Sequence, residues 1–446
     1  MRQQMIECPC PDSQLQRLHV AYPDSWEALN FLSPAPDKRA FHSFVHVYRR
    51  FLVPACPWIF GNLVLFRLPP ELQADLPVHS PYGVLGDRLT AACALLRRGV
   101  SIRGGKPTFR EEAARKLWLA LEAQGCVDVV RGKLPTTQFI PVGEHCGYLS
   151  ENYPDARLKV NASFFIMDPI DCATVFDHIG QPLGLRVKDG VIQSPPLFGR
   201  EALLVRKDGS VEVRPVHLED LGISIGGTLY RHGVNATIHS RPRRKHLGRS
   251  RDTYLVIVGD RVVCVGQKTS VPIPASGFVL QVSPECPVRP GAQVSYVGLE
   301  DVAFGIQVGN SILRDGVPTR EFISKFYNIY HLEPVPYPPS LYPMDFEHAR
   351  AARIALGADR AGNPMVLWAE GASKLGYDPG TDSRGASLSD MARYCAQVGM
   401  HNAVNLDGGG SAQMLINNKR SLRISDRDPE SKQDTERPIP MGLMME

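Results

Sequence analysis

Near its C-terminal end the chain reads Asn405-Leu406-Asp407-Gly408-Gly409-Gly410-Ser411, between the apolar runs Ala403-Val404 and Met414-Leu415-Ile416. Short apolar runs on either side of a turn signal read as strands. A strand that ends on a carboxylate and turns through three glycines is a severe constraint. Consecutive glycines cost backbone entropy and leave the chain bare. That cost suits a place where something approaches the backbone closely. Successive exposed N–H groups in such a loop form an anion-binding concavity. Asp407 therefore stands as a candidate catalytic carboxylate beside a glycine cradle for a phosphate or a developing oxyanion. The competing reading is a tight hairpin whose aspartate satisfies its own turn.

The residues upstream narrow the fold. Arg353 to Gly357 and Met365 to Ala369 read as strands, the second ending at Glu370-Gly371. Ser387 and Asp390 resemble a capping box, and Leu388, Met391, Ala392, Cys395 and Val398 recur at helical spacing up to Gly399. The order strand, Glu370, helix, strand, Asp407 reads as a helical crossover between parallel neighbours. Parallel neighbours place Glu370 and Asp407 at one sheet edge, the carboxyl edge that ligands favour in open α/β sheets.

Elsewhere the signals are local. Lys188-Asp189-Gly190, Lys207-Asp208-Gly209 and Gly259-Asp260 each divide two apolar runs and predict hairpins. Leu63 to Phe66, Val127 to Val130 and Leu158 to Phe165 read as strands, and Leu89 to Arg97 as a short helix. Thr108 with Glu111 predicts the start of a helix over 108–124, with Ala113, Ala114, Leu117 and Leu121 as its buried stripe. A change of character near residue 150 divides the 446 residues into a mixed N-terminal region, 1–150, and a strand-rich unit, 151–446. The expected fold class is α+β, with a large mixed sheet and the helical crossover before the glycine loop.

Few function classes follow from charge. The formal net charge of +4 is too small to argue for nucleic acid. Arg241 to Arg251 holds six Lys and Arg in eleven residues and is either a polyanion or nucleic-acid contact or a solvated loop. No aromatic interleaves those charges, which disfavours single-stranded nucleic acid. His42 and His46 stand four apart without an evident third metal ligand. Tyr327 to Phe346, with five prolines and four tyrosines, reads as a functional loop or linker. Ten scattered cysteines, no apolar run of signal-peptide length and no membrane-length span lead to an expected cytoplasmic location with reduced thiols. Oligomeric state is not legible.

Taken in order, several segments resemble the phosphodiester glycosidase family over about residues 155–446. Asn161-Ala162-Ser163-Phe164-Phe165 is similar to its Asn-Gly-Gly-Phe-Phe-type strand end, and Ile273 to Leu280 to its Ile-Pro-x-x-Gly-x-Val-Leu segment. Arg353 to Gly357 resembles its Arg-Thr-Ala-Ile-Gly, and Glu370-Gly371 stands where members carry Asp-Gly. Asn405 to Ala412 matches Asn-Leu-Asp-Gly-Gly-Gly-Ser-Ala without a change, and Arg437-Pro438 to Met444 resembles the closing strand.

The resemblance implies hydrolysis of a sugar-1-phosphodiester, of the N-acetylglucosamine-1-phosphodiester kind, on its glycosidic side. A phosphate monoester is a good leaving group, so donors that hold its charge matter more than an acid. On that reading Asp407 and Glu370 are candidate acid/base or nucleophile. Arg353 holds phosphate, with donors from Gly408, Gly409, Gly410 and Ser411. Asn161 and Asn405 bind sugar hydroxyls or orient the carboxylates. No cofactor and no metal cluster is evident, although Asp407, Glu370 and Asp359 would suit a hard divalent cation if they met. The alternative is a non-catalytic module that holds a phosphorylated glycan or a polyanion in the same cleft and the 241–251 loop.

Overall fold

The computed structural model describes residues 1–10, 14–37, 62–66, 95–96, 99–103, 106–123, 127–131, 146–166, 176, 180–197, 200–241, 246–319, 350–372, 380–428 and 431–446. Two antiparallel sheets carry the C-terminal motifs. The first has seven strands in the order Arg2–Pro9, Leu15–Tyr22, Pro364–Ala369, Arg353–Asp359, Met400–Asn405, Ser311–Arg314 and Val317–Pro318. The second has five, in the order Lys419–Arg420, Met414–Ile416, Leu158–Asn161, Gly442–Met445 and Leu29–Leu32.

The principal core lies between these sheets. Ile354, Leu356, Trp368 and Val404 of the first meet Val160, Met414, Leu443 and Met445 of the second, all with no solvent exposure. Strand side chains alternate between faces. Accordingly, Ala355 points the other way and joins Leu18, Leu367, Ala403, Met391 and Cys395 in a separate cluster. Helix Leu388–Gln397 supplies Met391 and Cys395, so it covers the outer face of the first sheet. Burial on both faces accounts for the unbroken apolar runs in strands Arg353–Asp359 and Pro364–Ala369.

That helix begins as its sequence predicts. The Ser387 side chain accepts from the Asp390 amide and the Asp390 carboxylate accepts from the Ser387 amide, while Gly399, at φ +92°, follows its end. Beyond the two sheets, residues 185–306 form smaller antiparallel sheets around Leu255, Ile257, Phe278 and Leu280. All three predicted hairpins are present there. Asp189 and Gly190 both have positive φ, 53° and 81°, the requirement of a tight turn between twisted strands.

Several expectations are corrected. The sheets are antiparallel, not mixed. Strands Pro364–Ala369 and Met400–Asn405 run in the same direction but are not neighbours, because Arg353–Asp359 lies between them, antiparallel to both. A boundary near residue 150 does not divide the sheets either. Leu15–Tyr22 pairs with Pro364–Ala369, and Leu29–Leu32 pairs with Gly442–Met445. Ala21, Trp26 and Leu29 lie in the principal core.

The early helix spans Glu112–Ala123 and buries Ala114, Trp118 and Leu121, leaving Ala113 exposed. Thr108 is not its cap. It lies in strand Lys106–Phe109, opposite Ser101, and donates to the Ser101 carbonyl at 3.0 Å. The predicted strands at 63–66 and 127–130 are present as Asn62–Phe66 and Val127–Arg131, and they pair with each other. The predicted strand 158–165 closes at Asn161. His42, His46, the Tyr327 to Phe346 segment and most of the 89–97 helix lie outside the described residues. The described cysteines Cys8, Cys10, Cys146, Cys264, Cys286 and Cys395 form no disulfide; only Cys146 and Cys395 are buried. No described helix is long and apolar enough to cross a membrane.

Candidate functional site

Antiparallel insertion of Arg353–Asp359 has a direct consequence for the site. Arg353 opens its strand opposite Ala369, where Pro364–Ala369 closes, and Ala355 faces Asn405. One edge of the sheet therefore collects Arg353, Glu370, Asn405 and Asp407. The expected convergence of strand ends holds, by a different topology.

Asn161 fixes the glycine loop to the second sheet. Its amide nitrogen donates to the Asp407 carbonyl at 2.8 Å, and its amide oxygen accepts from the Gln413 N–H at 2.9 Å. The Asp407 N–H donates to the Ala162 carbonyl at 2.9 Å. Both ends of this buried amide are engaged, so Asn161 ties the backbone of Asp407 to that of Gln413. Asn405 donates from its amide nitrogen to the Leu406 carbonyl at 2.7 Å, while its amide oxygen is buried with no partner among the described residues.

Each of the three glycines has its own reason. A Cβ on Gly408 would stand 2.7 Å from the Ala352 carbonyl oxygen. Gly409 has φ +60° with open space around it. A Cβ on Gly410 would stand 2.1 Å from Arg437 Nη2 and 2.3 Å from both Asp426 carboxylate oxygens. The predicted cradle of backbone donors is largely committed internally. The Gly408 N–H donates to Asp407 Oδ1 at 2.9 Å, and the Gly409 N–H donates to the Ala352 carbonyl at 2.8 Å. Residues 409–411 close into a short 3-10 turn.

Asp407 is 7% exposed. Desolvation pushes its carboxyl up to about 6. Hydrogen bonding from the Ser411 hydroxyl, the nearby Arg437 charge, the Gly408 N–H and the Arg353 charge oppose that rise. Arg353 is buried, with Nε donating to the Ala386 carbonyl at 3.2 Å. Arg437 is a site residue that the sequence marked only as part of a closing strand. Its Nε donates to Asp426 Oδ2 at 2.7 Å, and its Nη1 donates to Ser411 Oγ at 3.3 Å. The Arg-Pro dipeptide was the available signal, but Asp426 had none.

Glu370 has a different set of partners. Its Oε2 accepts from Arg17 Nη1 at 3.0 Å and from the Ser383 hydroxyl, and its Oε1 accepts from the Arg423 N–H at 2.8 Å. Its own N–H donates to the Arg17 carbonyl at 3.0 Å. This carboxylate ties the N-terminal hairpin to two C-terminal loops.

Asp359 stands at the far end of its strand from Arg353, and its carboxylate holds the turn through the Ala361 and Asn363 amides. The proposed cation trio therefore does not form. Among the described residues no group of three or more His, Cys, Asp or Glu is placed to hold a metal ion. In the basic segment Arg241 donates from Nε to the Ile273 carbonyl at 2.7 Å, and His246–Leu247 pairs with Val271–Pro272; residues 242–245 lie outside the described set.

Comparison with known proteins gives the site its context. The mouse N-acetylglucosamine-1-phosphodiester alpha-N-acetylglucosaminidase is 37% identical over 81 residues, 18% of this chain and 14% of the mouse protein. The human enzyme of that name is 36% identical over the same length, with the same shares covered. A solved zebrafish catalytic domain of that name, auto-inhibited by its pro-peptide, overlays all of this chain and 82% of its own at 14% identity and a TM-score of 0.40. A hypothetical Synechocystis protein overlays 68% of this chain and 54% of its own at 17% identity and a TM-score of 0.39. At these scores the overlays carry no argument. The family comparison covers far more sequence: residues 155–446 match phosphodiester glycosidase throughout, and the chain belongs to that family.

Proposed function

We propose that the chain hydrolyses the glycosidic bond of a sugar-1-phosphodiester, with N-acetylglucosamine-1-phosphodiesters as the first substrates to try. Asp407 acts in its ionised form, as nucleophile at the anomeric carbon or as base toward the attacking water. The observation that carries this reading is the burial of Asp407 at the glycine loop beside two buried arginines, where desolvation raises its carboxyl to about 6. A group poised near neutrality suits proton transfer or attack at working pH. Arg353 opens its strand at the same edge as Asp407, where its charge suits the departing phosphate.

Glu370 has no chemical step in this reading. Its oxygens already accept from a guanidinium, a hydroxyl and an N–H. One working carboxylate is chemically sufficient where the leaving group is a phosphate that needs little protonation. The test is incubation of the full chain with a panel of sugar-1-phosphodiesters, nucleotide sugars among them, scored for free reducing sugar. Release by wild type and its loss in Asp407→Asn is the expected result. Equal release by both proteins removes Asp407 from the chemistry, and no release by either across the panel removes the hydrolase reading.

A further inference from the structure

Behind Asp407 lies a polar chain to which the reaction above assigns no step. Asp426 and Arg437 are 5% exposed each. Arg437 Nε donates to Asp426 Oδ2 at 2.7 Å, and Nη2 lies 2.7 Å from the same oxygen as an ion pair, which holds the guanidinium against the carboxylate. The remaining terminal nitrogen, Nη1, donates to Ser411 Oγ at 3.3 Å. Ser411 is fully buried, and its hydroxyl lies toward Asp407. A hydroxyl has one proton and two acceptor positions. With a guanidinium donor on one acceptor position, its own proton remains for the Asp407 carboxylate, whose ionised form the Ser411 hydroxyl favours.

We propose that Arg437 is a positioning residue: held by Asp426, it turns the Ser411 hydroxyl proton onto the Asp407 carboxylate and so sets how readily that carboxylate ionises. The same chain explains the third glycine. Gly410 lies against the Asp426–Arg437 pair so closely that a Cβ would overlap both partners. The motif thus combines a carboxylate, its hydroxyl donor two residues beyond the first two glycines, and a glycine that admits the guanidinium. Charged groups facing Asp407 are Arg437 and Arg353, with Asp426 behind the former. Arg353 belongs to the neighbouring strand and is left intact in the test.

The proposal rests on Asp407 as the ionising group, so the readout is ionisation rather than turnover. Unfolding free energy is followed from about pH 4 to 9 for the full chain and its Asp407→Asn counterpart, and the difference reports the Asp407 midpoint. The same pair is made in Arg437→Gln and in Ser411→Ala, the latter removing a single oxygen. The wild-type midpoint is expected at about 6. Both variants are expected to move it upward, Arg437→Gln by about tenfold in the ionisation constant, one pH unit. A midpoint unmoved in Ser411→Ala overturns the relay even if Arg437→Gln does not fold. Lower stability with an unmoved midpoint in Arg437→Gln assigns Arg437 a structural role only. Absence of glycosidase turnover would defeat the proposed reaction and leave these midpoints informative.

Discussion

Glu370 and Asp407 end two strands that run the same way in one sheet, with a single strand between them. In sequence they share a pattern, an apolar run before and a glycine after, although only Asp407 stands in a long contiguous motif. Their surroundings separate them. Glu370 is saturated by Arg17, the Ser383 hydroxyl and the Arg423 N–H, donors drawn from three distant parts of the chain. Asp407 is desolvated and only partly compensated, by its neighbours Gly408 and Ser411 and by two arginines. A saturated carboxylate is a fastener, whereas an under-compensated one at neutral pH is available for chemistry. Environment, not residue type, distributes the roles.

Breaking the two carboxylates should give opposite phenotypes. Asp407→Asn is expected to lower kcat by about 10³-fold with the fold intact, read by steady-state turnover and thermal unfolding. Glu370→Gln should leave kcat of the folded fraction nearly unchanged and cost about 3 kcal/mol, measured by denaturant unfolding. That cost is at the low end for a buried pair because the Arg17 side chain keeps 22% exposure.

The pH dependence sharpens the same contrast. With its folded value raised to about 6 from an ordinary 3.8, Asp407 favours the folded state most when protonated. That contribution is complete below about pH 3.8 and lost as pH rises through 6. Wild type should therefore lose about 2 kcal/mol relative to Asp407→Asn between pH 4 and 7. A flat difference would mean that Asp407 is not desolvated.

Within the loop, Gly410→Ala should cost about 3 kcal/mol through overlap with Arg437 and Asp426. Gly409→Ala meets open space and should cost about 1 kcal/mol for its left-handed backbone. Equal losses at both positions would show that the Asp426–Arg437 pair does not press on the loop. Smallest, Ser387→Ala should cost about 1 kcal/mol by removing the cap of the helix that covers the outer sheet face.

What was legible in the sequence was local. The hairpins at Asp189-Gly190 and Asp208-Gly209 and the capped helix at Ser387 each depend on a few adjacent residues. Thr108 and Glu111 carried the same capping spacing, but cross-strand pairing with Ser101 took Thr108 instead. Long-range pairing left no trace. Nothing in strand Arg353–Asp359 says that it inserts between its two successors, and nothing in residues 2–32 says that they complete both sheets. Asp407 was legible because its whole motif is contiguous. The saturation of Glu370 and the support from Asp426 were not, because their partners lie 11 to 353 residues away.

The central claim is that one of the two carboxylates does the chemistry and the other holds the edge. Its most direct test is side-by-side release of sugar from one sugar-1-phosphodiester by wild type, Asp407→Asn and Glu370→Gln, each normalised to folded protein. Loss confined to Asp407→Asn is the result this account predicts. Loss in Glu370→Gln with Asp407→Asn still active would contradict it.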